Sequence, residues 1–198
     1  LSGYGAIFVK RGSPRHKKLG KIYVLAMGVV AITAYIMAIT KPNPFLFGIA
    51  VFTTYFIYTG WTMVGGRWEK FAMLDRIIAY VFLGLAIICL SLLAYIKFKS
   101  VEFNGTLFTT ALIFSSIAVF IALQDIIAFN KLRETPTERV INHLSKMCAG
   151  LIATTTAMMV TVIAYIPILP PIIAWIGPTI IITPMIFYWA NQRRVGSS

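Results

Sequence analysis

Two histidines, His16 and His143, and one carboxylate within an apolar run, Asp125, are the residues of this sequence best suited to chemistry. Histidine is a standard axial ligand of b-type haem, and two of them on separate helices suffice to hold the iron. His16 and His143 are therefore candidate axial ligands, with nearby lysines and arginines to receive the propionates. A carboxylate inside a membrane is costly, so Asp125 is a candidate proton acceptor, metal ligand or cation site. Arg76 is its nearest basic candidate partner, and Tyr58 and Met147 stand where they could join a polar cluster with the histidines. Each of these residues also has a structural reading. An Arg76–Asp125 pair would fix helix packing, and histidines in basic, partly wet segments commonly act as hydrogen-bonded surface groups. Zinc is a poor match, because it usually takes three or four protein ligands and the carboxylates lie far off in sequence. A Walker loop, a glycine-rich dinucleotide turn, a His-Glu-x-x-His pair and a Cys-x-x-Cys pair are all absent.

The elements that must carry these groups are membrane helices. Of 198 residues, 59% are apolar and 12% charged, and the mean hydropathy is +0.83. A soluble domain is nearer half apolar and a quarter charged, so composition excludes a disordered chain, a disulfide-rich scaffold and almost any water-soluble enzyme. A helix crosses a bilayer with about 20 mostly apolar residues. Six runs qualify: residues 22–40, 45–64, 77–96, 106–129, 147–166 and 172–190. Short connections make sequence neighbours antiparallel. The expected fold is an all-α integral membrane protein, a bundle of six transmembrane helices in one domain covering 1–198. The short apolar stretch 1–9 reads either as the tail of a seventh, truncated helix or as an interfacial segment.

A net charge of +12 on a soluble domain would suggest nucleic acid. Here the cations sit between the apolar runs, fifteen Lys and Arg on one side against Lys41, Lys97 and Lys99 on the other. Basic loops stay in the cytoplasm. The chain is expected to be multi-pass in the plasma membrane with its C-terminus cytoplasmic, its partners being the lipid bilayer and other membrane subunits, not nucleic acid. Cys89 and Cys148 fall in different runs at opposite depths, too far apart for a disulfide, and read as small buried apolar residues.

Local signals refine the elements. Ser13-Pro14 reads as a helix cap and first residue, and Thr135-Pro136-Thr137-Glu138 as a capping box. Two helices should therefore start near Pro14 and Pro136, each carrying one histidine in its cytoplasmic extension, the two at nearly the same depth. His143, Met147, Gly150, Thr154, Met158 and Thr161 form one face of the fifth membrane helix, beside an Ala149/Ala153/Ala157 stripe. That face reads as a cavity lining or as packing, with the threonines bonded to their own backbone. Trp61 and Trp68 suit an interfacial belt, and Asp75 a solvated position or a cap at the membrane edge. Gly177-Pro178 and Pro184 would kink the last helix, and 166–171 is a turn.

The run Lys10-Arg11-Gly12-Ser13-Pro14-Arg15-His16-Lys17-Lys18-Leu19-Gly20-Lys21-Ile22-Tyr23 is followed by His143-Leu144-Ser145-Lys146-Met147, Thr156-Ala157 and Trp175-Ile176-Gly177-Pro178. Together these segments resemble an uncharacterised family of bacterial polytopic membrane proteins, domain of unknown function 2306, over about residues 10–189. The resemblance implies a helical fold in the bacterial inner membrane, places both histidines in signature segments, and implies a further apolar segment before the first. It implies no reaction. The leading expectation is an accessory or assembly subunit of a membrane complex, since no sizeable loop is present to hold a soluble catalytic site. The alternatives are a haem- or metal-binding redox protein using His16 and His143, and a small proton-coupled transporter using Asp125, Arg76 and the prolines of the last helix.

Overall fold

Proline opens four of the helices, at a position where its missing N–H breaks no helical hydrogen bond. The computed structural model describes residues 2–64, 67–99, 105–130, 135–163 and 171–195. Seven helices, and no strand among the described residues, make up the fold: α1 (Ser2–Phe8), α2 (Pro14–Thr40), α3 (Pro44–Thr62), α4 (Arg67–Phe98), α5 (Gly105–Asn130), α6 (Pro136–Ile163) and α7 (Pro171–Val195). Among the described residues, three stretches are long and apolar enough to cross a membrane: Pro14–Thr40, Lys70–Phe98 and Phe108–Phe129. The turn at 166–171 lies outside the described residues but for its last, Pro171, which opens α7; the side chains of Trp68, Thr161 and Trp175 also lie outside them.

The starts of α2 and α6 fall where the capping signals placed them, at Pro14 and Pro136. Ser13 holds extended backbone angles and its hydroxyl accepts from the His16 amide at 3.2 Å. Just before it, Gly12 takes φ +77°, a left-handed conformation that glycine enters without a Cβ penalty, and the Ser13 amide closes the turn on the Lys10 carbonyl. Losing such a cap costs about 1 kcal/mol. Ser13→Ala is thus expected to speed hydrogen exchange at the His16 and Lys17 amides and leave α7 unchanged; equal protection in both proteins would show the cap to be idle.

The chain divides into two compact units. One, Leu1–Val64 with Pro136–Ser198, holds α1, α2, α3, α6 and α7. Within it α1 packs on α2, α2 on α3, α3 on α6 and α6 on α7. α6 is the central helix, because Tyr4 of α1 meets Thr155 at 2.7 Å and Tyr23 of α2 donates to the Met147 carbonyl at 3.4 Å. Its core joins Tyr23, Met27, Ile57, Cys148, Leu151 and Ile182. The face expected along α6 turns outward at Met158, which is exposed, and Thr154 bonds back to the Gly150 and Leu151 carbonyls. Thr154 of that face is therefore bonded to its own backbone, as the packing reading expects. α7 runs as one helix through Pro178 and Pro184.

The other unit, Gly65–Thr135, is the hairpin of α4 and α5. Here Asp75 departs from expectation. It is 1% exposed, neither solvated nor a cap, because α4 begins at Arg67, nearly three turns before the apolar run. Both cysteines are free thiols; Cys148 is buried and Cys89 half-buried.

Candidate functional site

The last turn of an α-helix leaves carbonyls without an intrahelical partner, and the helix dipole makes that end partly negative. Three of the residues singled out for chemistry donate to such carbonyls on another helix. His16 Nδ1 donates to the Ala6 carbonyl at 3.0 Å, two residues before α1 ends. His143 Nδ1 donates to the Gly60 carbonyl at 2.6 Å, two residues before α3 ends. Arg76 Nη2 donates to the Phe129 carbonyl at 3.2 Å, one residue before α5 ends. A carbonyl oxygen only accepts, so Nδ1 carries the proton in both imidazoles. Each bond ties the C-terminal turn of one helix to the helix beside it.

His143 shares its crossing of α3 and α6 with Met147 of the expected cluster. Met147, one turn along α6, offers its carbonyl to Tyr23, and its side chain packs toward Gly60. Tyr58 is half-buried on α3, two residues before Gly60. His16 instead faces α1, although it shares the depth of His143. α6 runs antiparallel to α3, and α3 to α2, so α2 and α6 run the same way. His16 lies seven residues before Tyr23, and His143 four before the Met147 that Tyr23 touches. At 1.5 Å per residue their levels differ by less than one turn.

Arg76 and Asp125 belong to the hairpin unit. Asp125 is buried on α5, one turn before Phe129, whose carbonyl Arg76 reaches. Among the described residues, no group of three or more His, Cys, Asp or Glu side chains is placed to hold a metal ion.

Lys146 was counted in sequence with the loop cations, yet it is 7% exposed on α6. Its ammonium lies 5.6 Å from the centre of the Tyr55 ring, a cation–π placement that favours a desolvated charge. The one available signal was its position directly before an apolar run.

The same end of the larger unit holds a cavity of about 760 Å³ between the end of α1, the first turn of α6 and the end of α7. Lys10, Arg11 and Arg193 line it, with Gln192. Arg11 sits with its guanidinium carbon 4.0 Å from the centre of the Trp189 ring. Burial, and then the nearby positive charge of Arg193, hold Arg11 below the ordinary arginine range. Neither histidine is among the walls of this cavity. No family model, curated protein or solved structure matches the chain.

Proposed function

We propose that this chain is a polytopic protein of the bacterial inner membrane that serves as an accessory or assembly subunit of a larger membrane complex. In this reading all six apolar runs span, with the fifteen cations of the basic side in the cytoplasm together with the C-terminus. The observation that carries it is the use made of His16, His143 and Arg76. Each fastens the end of a neighbouring helix, so the residues richest in chemical capability serve to hold helices together. Large apolar side chains on α2 and α4 point outward, among them Leu25, Ile32 and Ile39, then Val81, Ile88 and Leu92, and offer surface to lipid and to partner helices alike.

Cross-linking in intact membranes, followed by mild solubilisation and native mass measurement, tests this. The expected product is a discrete assembly of fixed stoichiometry containing other membrane proteins. A chain recovered alone, with no cross-linked species, would overturn the proposal.

One observation favours a second reading of the same residues. An imidazole whose Nδ1–H is held by a carbonyl has the tautomer and orientation of a metal or haem ligand, coordination then falling to Nε2. An oxidised-minus-reduced spectrum of the purified chain decides between the two. A Soret band lost in both His16→Ala and His143→Ala would make the protein a cytochrome and displace the scaffold reading.

A further inference from the structure

The larger unit is almost without internal counter-charge. It carries eleven lysines and arginines and one carboxylate, Glu138. A general excess of cytoplasmic cations needs only that they reach water. The cavity beside the end of α1 does something different, because it draws three of them around one concave volume. Lys10 and Arg193 are exposed at its walls, and Arg11 is pulled in from water, over Trp189 and close to Arg193. Two guanidinium groups held near each other repel, and among the described residues no carboxylate lines the cavity to offset that repulsion.

We propose that this cavity binds a phosphate group, carried on an acidic lipid headgroup or on a small soluble compound. Guanidinium forks match phosphate oxygens in pairs, and a guanidinium lying over an indole keeps its N–H edge directed sideways. Gln192 adds a neutral donor, and the first turn of α6, at Pro136 and Thr137, adds wall at the partly positive end of a long helix. The volume of about 760 Å³ lies within the range of small-ligand sites. The walls also carry apolar side chains, Ile7, Phe8 and Val140, and Phe8 is 77% exposed. Cations and apolar side chains in one cavity suit a phosphate that is attached to something less polar. Basic pockets between helix ends at the cytoplasmic side are a general way of holding acidic headgroups.

The test is calorimetric titration of the full chain in detergent. Three probes are used: a short-chain phosphatidic acid, the matching phosphatidylcholine, and inorganic phosphate. Saturable binding of phosphatidic acid at one per chain, with none of phosphatidylcholine, is expected if the phosphate comes on a lipid. Equal binding of inorganic phosphate would assign the site to a soluble phosphate compound. In either case Arg11→Gln and Arg193→Gln should each weaken binding about tenfold or more, as the loss of a charge-assisted hydrogen bond does. Val140→Trp, which fills the cavity without changing charge, should abolish binding. Arg193 is exposed near the end of α7, so its variant reports on the site without threatening the fold. Arg15→Gln and Lys18→Gln remove exposed charges of the same unit that do not line the cavity, and should change binding less than about twofold. Absence of saturable binding by every probe would overturn the proposal. So would equal losses in Arg15→Gln and Arg193→Gln, which would mark diffuse attraction to a basic surface.

Discussion

Tyr23→Ala is expected to destabilise the larger unit by about 3 kcal/mol or more, as loss of a buried aromatic side chain does. Tyr23 is 7% exposed and stands where α1, α2, α3 and α6 meet. Its hydroxyl reaches the Met147 carbonyl, and the Gly3 backbone lies against its ring. In lipid the gain from burying apolar surface between helices nearly vanishes, because acyl chains are as apolar as the protein interior. What remains is close contact, and removing the ring leaves its neighbours facing a void. Tyr23→Phe should cost about 1–2 kcal/mol, because the hydroxyl makes a long bond, 3.4 Å, to the Met147 carbonyl and a second with the Thr154 side chain. Thiol labelling separates the outcomes. Cys148 is buried in the same cluster, and Cys89 belongs to the hairpin unit and serves as the internal reference. Cys148 should label many times faster in Tyr23→Ala, with Cys89 unchanged. An unchanged Cys148 rate would show that the packing around Tyr23 does not hold the unit together.

How much of this was legible in the residue order depends on the range of the signal. Ser13-Pro14 and Pro136 mark helix starts through local geometry alone, and both helices begin there. The threonines of α6 and α3 behave as threonines in apolar helices generally do: Thr154 bonds to Gly150, and Thr59 to Tyr55. That the two histidines lie within one turn of each other in depth also follows from counting residues along helices. Their partners do not. The Ala6 and Gly60 carbonyls are backbone groups, identical in type at every position, and nothing in a side-chain pattern says which one an imidazole will meet. Arg76 illustrates the same limit. Sequence reasoning offered it Asp125 as a partner by charge, but could not name the Phe129 carbonyl, one turn further along α5, that its guanidinium also reaches. The buried state of Asp75 was missed because the helix that holds it starts earlier than its apolar run, and hydropathy reports only the run. The basic cavity was missed because it is assembled from segments about 125 and 180 residues apart, whose charges each look like ordinary loop cations.

Gly60→Leu should be the second large effect, and it decides what His143 is for. A Cβ on Gly60 would stand 3.1 Å from the Lys146 Cβ and 3.3 Å from the Met147 Cε, so leucine has no room unless α3 and α6 separate. Overpacking of this kind costs about 1–3 kcal/mol. Separation also breaks the bond from His143 to the Gly60 carbonyl, adding about 1–3 kcal/mol for a buried acceptor left without its donor. His143→Ala removes that bond alone and should cost about as much as this second part. If the two changes act through one contact, the double variant will cost less than the two singles together, by roughly the value of the shared bond. His143→Gln then separates fastening from ligation. A glutamine amide can still donate to a carbonyl, but it cannot replace imidazole as a haem ligand. Recovery of both thermal stability and complex assembly in His143→Gln would fix the residue as a fastener of α6 to α3. Recovery of stability without assembly or spectral signature would mean that the imidazole itself is required, and that the bond to Gly60 serves to aim it.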